Sequence, residues 1–451
     1  MIINRHELER FHGTKSSKLV LSTLSAAIDS VRPDSLIKRT VKFSNNELSV
    51  RDIYGNIAIL PEFEHVYIVG AGKAALGMAF AMCSILNDKV AAGAITIPYG
   101  IKSQKKLKKV RVTEASHPIP DNAGIEGTKK ILAILGKANE NDLVVFLISG
   151  GGSALMPMPA SDICLADKQK ITGALLRSGA SIHEINAVRK HLSAVKGGQL
   201  LRHVNRSCAL LSLILSDVIG DDLGIIASGP TYPDSSTFGD ALSILRKYRI
   251  QRPFAAIEYL TKGAKGKICE TPKPQDEVFY RIHNMLIGNN AIACKAAKDF
   301  LNKHGMQAIN LGSEFNGEAK EFGSFLARLT LSLQCKRLAI IAGGETTVRL
   351  GKSKSGLGGR NQESALSCLA ELDRGDVIIA CIGTDGIDGN SDAAGAIVSP
   401  QTIMLAKKMD LKKYLSTHDS YHAFKKLNSL IFTGFTGTNV NDIAIVCADP
   451  Q

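Results

Sequence analysis

Tryptophan is absent from the sequence, and aromatic residues make up only 5% of its 451 residues. The densest basic stretch, KSQKKLKKVR at 102–111, has no aromatic residue among its lysines, although the chain carries a net charge of +13. Proteins that bind single-stranded nucleic acid stack bases on aromatic rings set among cations, and no helix-turn-helix or RNA-recognition signature occurs either. We therefore expect no nucleic-acid partner and interpret 102–111 as a solvated basic face.

Long apolar runs are also absent. No stretch approaches the ~20 consecutive apolar residues that a membrane-spanning helix needs, and the N-terminus is charged from Arg5 onward, which does not fit a secretory signal. The nine cysteines are scattered singly, with no C-x-x-C pair and no histidine cluster at metal spacing. These absences predict a cytoplasmic protein with free thiols and no membrane association.

The sequence does contain a regular alternation of short apolar, β-branched runs and amphipathic helical stretches. This alternation is typical of α/β domains with mostly parallel sheets. The predicted strands are 65–70, 92–98, 142–149 and 209–217 in the first half, and 283–290, 337–345, 376–386 and 429–434 in the second. The predicted helices include 73–87, 122–137 and 167–178.

The length of the chain exceeds one typical core, so two domains are expected. Residues 261–280 are polar and rich in proline and lysine, which predicts a linker or a long excursion. We therefore predict a Rossmann-like domain over 1–260, with glycine loops at 70–77 and 149–153, and a second α/β domain over 281–451. Each is expected to be a three-layer α/β/α domain with a mainly parallel sheet.

The predicted strands end, almost without exception, in a glycine, an asparagine or an aspartate. These strand ends are Gly70, Gly150, Asp217, Asn289, Gly343, Asp385 and Gly434. In open parallel sheets ligands bind outside the carboxyl ends of the strands. Two such edges that face each other would form a cleft, so the predicted fold includes an active site between the domains.

The stretch VGAGKAALGMA at 69–79 resembles two phosphate-binding turns. Gly70 and Gly72 fit the loose dinucleotide fingerprint, but the next predicted strand ends in Pro98 instead of the acidic residue that holds a ribose. A nucleotide P-loop does not fit, because Lys73 is followed by alanine instead of serine or threonine. What remains is a glycine turn that carries a lysine at the start of a helix, where anions are favoured. An ordinary exposed lysine is the alternative.

A second glycine loop, SGGGSAL, follows the strongly predicted strand 142–149. Three consecutive glycines allow successive N–H groups to converge on an anion, and two serine hydroxyls add donors. A plain flexible turn is the alternative. We predict a phosphate or carboxylate site formed by Ser149, Gly150, Gly151, Gly152 and Ser153.

Aspartates and an arginine extend the candidate chemistry. LSDVIGDDLG places Asp217 directly after a buried strand, followed by Asp221 and Asp222. Such a cluster suggests Mg²⁺, which binds through one or two carboxylates plus phosphate oxygens. Helix capping is the alternative for Asp221 and Asp222.

The motif GLGGRNQESAL places Arg360 after three glycines. An arginine in this position can clamp a carboxylate or a phosphoryl group, and an ordinary surface arginine is the alternative.

The second half repeats the theme in GGETTV and GTDGIDGNSDAAG. Asp385 lies two residues beyond the apolar run VIIACIG and is favoured as a functional residue. An Asx-type turn between glycines accounts for Asp388.

Together these stretches resemble the class II glycerate kinases, the glycerate 2-kinase family with a C-terminal MOFRL domain. The resemblance runs from about residue 15 to 447 and is carried by SHPIPDNAG, SGGGSAL, RSGASIHEINAVRKHLSAVKGGQL, LSDVIGDDLGIIASGPTYPD, GGETTV, GLGGRNQE, GTDGIDGNSDAAGA and TGFTGTNVNDIAIV. It departs from the family at Phe435, where proline is usual. The resemblance implies a two-domain α/β kinase that transfers the γ-phosphoryl group of ATP to the 2-hydroxyl of D-glycerate with Mg²⁺, and it marks Lys73 and Arg360 as functional.

On this basis we expect the Gly150–Ser153 loop to cradle the ATP phosphates while Lys73 and Arg360 stabilise the transferring group. Asp217 is the leading candidate for holding Mg²⁺ or another divalent cation, or for accepting the 2-hydroxyl proton. Second-rank substrate or metal contacts are predicted for Glu345, Asp385 and Asn290. The expected partners are D-glycerate and ATP, and the expected state is a monomer or a homodimer.

Two other functions remain open. An NAD(P)H-dependent hydroxypyruvate reductase is supported by the loose fingerprint at Gly70 and opposed by the missing acidic residue. A non-catalytic sensor of sugar phosphates would also use serine and glycine loops, although paired cations and clustered aspartates exceed what binding alone needs.

Overall fold

The computed structural model describes residues 2–101, 106–205, 207–332, 337–351, 356–373 and 376–448. Part of the predicted basic face, 102–105, lies outside these ranges. The strands are β1 (Val41–Ser44), β2 (Glu47–Arg51), β3 (Ile57–Leu60), β4 (Val66–Ala71), β5 (Val90–Pro98), β6 (Val110–Ala115), β7 (Leu143–Ser149), β8 (Ala209–Leu215), β9 (Ile282–Gly288), β10 (Gln307–Asn310), β11 (Leu338–Gly344), β12 (Val377–Gly383), β13 (Gly395–Val398), β14 (Leu430–Ile431) and β15 (Asp442–Ala448).

The helices include three that closely match the predicted stretches, namely α4, α5 and α7. The α-helices are α1 (Arg5–His12), α2 (Lys15–Ser30), α3 (Pro33–Thr40), α4 (Ala75–Leu86), α5 (Asn122–Leu135), α6 (Gly152–Leu155), α7 (Leu165–Arg177), α8 (Ile182–His191), α9 (Phe238–Lys247), α10 (Phe254–Ala264), α11 (Asn290–Lys303), α12 (Ala319–Ser332), α13 (Arg360–Glu371), α14 (Pro400–Ala406), α15 (Leu411–Ser416) and α16 (Ser420–Lys426).

The chain divides into two units, which we call the parallel-sheet unit (residues 36–288) and the mixed-sheet unit (residues 1–35 and 289–451). The parallel-sheet unit is built on six parallel strands in the order β6-β5-β4-β7-β8-β9. Every residue of β7 is buried, because α5 and α4 both pack on the sheet and cover opposite faces. A strand covered on both faces needs a continuous apolar run. The sequence LVVFLIS is such a run and therefore predicts a buried strand at β7.

The mixed-sheet unit carries six strands in the order β10-β11-β15-β12-β13-β14. Its central strands β11, β12 and β15 are buried along their whole length, since α2 and α11 pack on the sheet together with α12 and α13. The predicted α/β class is confirmed, but this sheet is not mainly parallel. Among the strands that the structure describes in this sheet, only β10 and β11 pair in parallel. Strand β15 runs antiparallel between β11 and β12, and β13 pairs antiparallel with its neighbours β12 and β14.

The observed division differs from the predicted boundaries at 260 and 281. Strand β9, which falls in the predicted second domain, pairs with β8 and completes the parallel sheet. The predicted linker 261–280 is packed onto the parallel-sheet unit, because Glu270 accepts hydrogen bonds from His191 and from the backbone of Phe238. The N-terminal helix α2 belongs to the mixed-sheet unit, where it packs against α11.

Two further observations bear on the composition. The eight cysteines in the described ranges are all free thiols, as their isolated spacing predicts. No helix within those ranges is both long and apolar enough to cross a membrane.

Candidate functional site

The loops that follow β4 and β7 lie side by side at the carboxyl edge of the parallel sheet. The backbone N–H of Lys73 donates to the carbonyl of Gly150 at 2.8 Å, and the N–H of Ala74 donates to the hydroxyl of Ser149 at 3.0 Å. These two bonds place the lysine-bearing turn directly against the glycine loop. Lys73 itself is half-buried.

Gly70 and Gly72 serve this packing. A Cβ on Gly70 would lie 2.2 Å from the carbonyl oxygen of Leu147, and a Cβ on Gly72 would lie 2.1 Å from the hydroxyl oxygen of Ser149. Gly72 also has a φ of 144°, which side chains rarely adopt. The structure thus gives Gly70, Gly72 and Ser149 roles in joining the two segments, and the phosphate contacts predicted for them stay a prediction.

The remaining part of the glycine loop contacts other segments at the same sheet edge. Gly150 is buried, and Gly152 has room only for a hydrogen, because a Cβ there would lie 2.9 Å from the Cβ of Ala227. Gly151 and Ser153 are half-buried. A Cβ on Gly151 would lie 2.9 Å from Cδ2 of His117, so the loop after β6 also reaches this point.

Ser153 begins a short chain of polar side chains. Its hydroxyl lies 2.9 Å from the hydroxyl of Ser228, which donates to the Oδ1 of Asn186 at 2.8 Å. The chain links the glycine loop to helix α8, and both Ser228 and Asn186 are buried. The predicted anion loop is therefore held rigidly from several sides.

The loop after β8 carries the three predicted aspartates. Asp217 is half-buried two residues beyond the strand. Asp222 accepts from the N–H of Gly224 at 2.7 Å and so closes a turn, while Asp221 lies 3.4 Å from the hydroxyl of Tyr54. Within the described residues no group of three His, Cys, Asp or Glu side chains is placed to hold a metal. A metal-binding role for Asp217 therefore stays a prediction.

The mixed-sheet unit holds Arg360 between two carboxylates. Its Nε and Nη2 donate to Oδ2 and Oδ1 of Asp442 at 2.6 and 3.1 Å, and its Nη1 donates to Oε1 of Glu345 at 2.6 Å. The Arg360 side chain is 32% exposed and that of Asp442 only 11%. This fork-shaped pairing fixes the plane of the guanidinium group.

Electrostatics keep Arg360 charged. Burial opposes the charge, but Asp442 and Glu345 outweigh that effect and raise the pKa of the guanidinium above its ordinary value. Burial raises the pKa of Asp442 to about 7, although the attraction of Arg360 opposes the rise. Of this pair, Arg360 stays charged, while burial makes the Asp442 carboxyl easier to protonate than an exposed aspartate.

Asp388 positions the helix on which Arg360 sits. Its buried carboxylate accepts from the backbone N–H groups of Asn361 and Gln362 at 3.0 and 2.8 Å, and from both of their side-chain amides. It thereby satisfies donors at the first turn of α13 that otherwise lack a partner. Gly359 must be glycine here, because a Cβ would lie 2.4 Å from atoms of Asp388.

The three residues predicted as second-rank substrate or metal contacts lie in different surroundings. Glu345 contacts Arg360 directly, as described above. Asp385 is half-buried and accepts from the N–H of Ile387 at 3.1 Å. Asn290 is buried, and its amide donates to the carbonyls of Val440 and Asp442. Its observed role is to fix the start of β15.

Asp442 is the residue that sequence reasoning misses. It lies 82 positions from Arg360, and no local spacing links the two. The available signal was a charged residue at the head of the fully apolar run IAIVCA.

Comparison with known proteins gives two family matches. A family model described as a domain of unknown function, DUF4147, matches residues 19–261, and the MOFRL family model matches residues 338–442. The first includes Lys73 and the glycine loops, and the second includes Arg360 and Asp442.

Similar proteins cover nearly the whole chain. A glycerate 2-kinase from Pyrococcus horikoshii is 41% identical over 438 residues, covering 94% of this chain and 96% of that protein. A crystal structure of a glycerate kinase from Thermotoga maritima has a TM-score of 0.81 at 39% identity and covers 96% of this chain and 99% of that one. A protein from Agrobacterium vitis, provisionally named a hydroxypyruvate reductase, is 42% identical over 388 residues, or 84% of this chain and 86% of its own length.

Proposed function

The chain belongs to the class II glycerate kinase family with a C-terminal MOFRL domain, a family of small-molecule kinases, and we propose that it transfers the γ-phosphoryl group of ATP to the 2-hydroxyl of D-glycerate. The product is 2-phosphoglycerate. We place the reaction in the cytoplasm, without nucleic-acid or membrane partners, in a monomer or a homodimer.

The observation that carries this proposal is the contact between the lysine turn and the glycine loop. The Lys73 N–H bond to the Gly150 carbonyl places the backbone of the lysine turn against the loop that carries half-buried Gly151 and Ser153. Phosphoryl transfer needs positioning and charge neutralisation more than covalent chemistry. In our proposal Gly151 and Ser153 line the phosphate site, and Lys73 stabilises charge on the transferring group.

Arg360 is proposed to bind an oxygen of a phosphoryl group. Its two carboxylate partners differ in exposure, since the Glu345 side chain is 40% exposed and the Asp442 side chain 11%. An incoming phosphoryl oxygen would therefore replace Glu345 more readily than Asp442. Asp442 would keep the guanidinium oriented while Glu345 gives up its place.

Asp217 is proposed as the carboxylate that holds a divalent cation. One half-buried carboxylate at the sheet edge fits Mg²⁺, which takes one or two carboxylates and completes its shell with phosphate oxygens and water. When bound, the cation would neutralise charge on the phosphates. Acceptance of the 2-hydroxyl proton is the second role proposed for Asp217.

The hydroxypyruvate reductase alternative rests on the name of the Agrobacterium vitis relative. The geometry argues against it, because β5 ends in Pro98 instead of the acidic residue that would hold a ribose. Purified protein would be incubated either with ATP, MgCl₂ and D-glycerate or with NADH and hydroxypyruvate. We expect ADP formation in the first mixture and stable NADH in the second, and the reverse pattern would reject the kinase assignment.

A further inference from the structure

A polar cavity in the parallel-sheet unit takes no part in the site described so far. It lies between helix α8 and the segment 222–236, which follows β8, and its volume is about 330 Å³. Pockets that hold organic ligands measure about 300–1,000 Å³. The cavity therefore has room for one small molecule.

Three side chains of different chemistry meet at Gly224 in the wall of this cavity. A Cβ on Gly224 would lie 3.1 Å from Oδ1 of Asp222, 3.5 Å from Nζ of Lys190 and 3.6 Å from Cδ1 of Tyr232. All four residues line the cavity. A carboxylate, an ammonium group and an aromatic ring are thus brought together where Gly224 presents no side chain of its own.

Helix α8 supplies hydrogen-bond donors to the cavity. Asn186 and Lys190 lie one helical turn apart, are 3% and 8% exposed, and both line the cavity. The Oδ1 of Asn186 accepts from Ser228, whereas its Nδ2 has no acceptor among the residues that the structure describes. Lys190 donates to Asp234 at 3.3 Å, and an ammonium group carries three N–H donors. Donors on both side chains are therefore left for a ligand.

The charges around the cavity favour an uncharged ligand group. Lys190 is paired with Asp234, and Glu184 is paired with Lys247. Asp222 lines the cavity without an ion pair within the described ranges, and its Oδ1 accepts from the N–H of Gly224. This unpaired carboxylate would repel an anion. It suits a hydroxyl donor instead, and a carboxylate that accepts from a ribose hydroxyl is a recurrent feature of nucleotide sites.

The cavity adjoins the glycine loop. The hydroxyl of Ser153 lies 2.9 Å from that of Ser228, which donates to Oδ1 of Asn186 at 2.8 Å. Only two hydrogen bonds therefore separate the end of the glycine loop from the wall of the cavity. A nucleotide with its phosphates at the glycine loop has this cavity close by for its nucleoside.

We propose that the cavity binds the nucleoside of ATP. This deepens the proposed function and rests on it for the position of the phosphates. Tyr232, which is 37% exposed, stacks on the base, and Asp222 accepts from a ribose hydroxyl. Asn186 and Lys190 donate to acceptor atoms of the nucleoside.

Tyr232 allows the nucleoside contacts to be tested apart from the phosphate contacts. Inorganic tripolyphosphate has no base, so the loss of a stacking ring should weaken binding of a nucleotide and leave binding of tripolyphosphate unchanged. Tyr232→Ala is the main variant, because the Tyr232 hydroxyl has no hydrogen-bond partner to lose among the described residues. Tyr232→Phe keeps the ring, and Tyr280→Ala, which removes a 75% exposed ring from the same unit, is the matched control.

The test is calorimetric titration of the full-length protein with AMP-PNP and MgCl₂, and separately with tripolyphosphate and MgCl₂. We expect Tyr232→Ala to weaken AMP-PNP binding at least about fivefold, as loss of a base–aromatic stack does, and to keep its affinity for tripolyphosphate within about twofold. Tyr232→Phe and Tyr280→Ala should keep both affinities within about twofold.

Three results would overturn the nucleoside cavity. These are unchanged AMP-PNP affinity in Tyr232→Ala, an equal loss for both ligands, and absence of AMP-PNP binding by the wild type. Unchanged AMP-PNP affinity together with a raised KM for D-glycerate would assign the cavity to the acceptor instead. Because the titrations contain no D-glycerate, the expected loss in a protein that forms no 2-phosphoglycerate would support the cavity and reject only the proposed acceptor.

Discussion

At the scale of single residues, two cations carry the proposed chemistry, and neighbouring glycines mark both of them in the sequence. Lys73 and Arg360 are predictable because each follows glycines at the start of a helix. Their partners are not, since Asp442 and Asp388 reach Arg360 and α13 from distant positions. Sequence patterns reveal local geometry, whereas pairing across the fold depends on strand order.

Lys73→Ala should lower kcat at least about hundredfold, because it removes a charge from the phosphoryl site. Stability should fall by less than about 2 kcal/mol, as for most single substitutions. Steady-state kinetics and urea unfolding measure the two effects, with the exposed Lys170→Ala as control. Normal turnover in Lys73→Ala would remove this residue from the mechanism.

Asp442→Asn and Glu345→Gln should differ in their effects. Loss of the Asp442 charge frees the guanidinium to rotate, so kcat should fall about tenfold or more. Glu345→Gln should keep kcat within about threefold, because Glu345 is the partner that the phosphoryl oxygen replaces. The reverse order of effects in the kinase assay would show that Glu345 is the orienting group.

Lys168 should impose a pH dependence on stability. Burial lowers its pKa to about 7 in the folded protein, and the pKa is about 10.4 in an unfolded chain. Between these values the unfolded chain binds the extra proton, so the free energy of unfolding rises with pH and falls as pH drops towards 7. From pH 7 to about 8.5, below the titration of free thiols, the wild type should gain up to about 1.4 kcal/mol per pH unit more than Lys168→Met. Parallel slopes in urea unfolding would show that Lys168 stays charged.

At the scale of elements, some strands are predictable from the sequence and others are not. β7 is predicted correctly because burial on both faces requires a continuous apolar run. β15 has the same apolar composition but is missing from the predicted strands, and its central place in the sheet is not a local property. The antiparallel β1, β2 and β3 are short and partly exposed, so their pattern is weak.

Gly359→Ala tests whether the Asp388 contact fixes helix α13. The added methyl group would overlap Asp388, and such overpacking costs about 1–3 kcal/mol. Activity should fall as well, because Arg360 is the first residue of the helix. Gly351→Ala is the matched control, since a Cβ there has nothing within 4 Å. Equal stability of the two variants in urea would show that the contact with Asp388 does not fix helix α13.

At the scale of the whole molecule, the two units combine segments that are far apart in sequence. The mixed-sheet unit takes its first 35 residues from the N-terminus, and β9 joins the parallel sheet after a long polar segment. Composition suggested a boundary at that polar segment, but a packed excursion and a linker have the same composition. The number of units is predictable from length and pattern, whereas their borders require the pairing of β8 with β9.

The central claim is phosphorylation of D-glycerate at its 2-hydroxyl. The most direct test supplies D-glycerate, ATP and MgCl₂ to the protein, with enolase as the only coupling enzyme for 2-phosphoglycerate and no phosphoglycerate mutase. We predict an immediate enolase signal that depends on ATP. A signal that appears only after the mutase is added would mean phosphorylation at the 3-hydroxyl and would contradict the account.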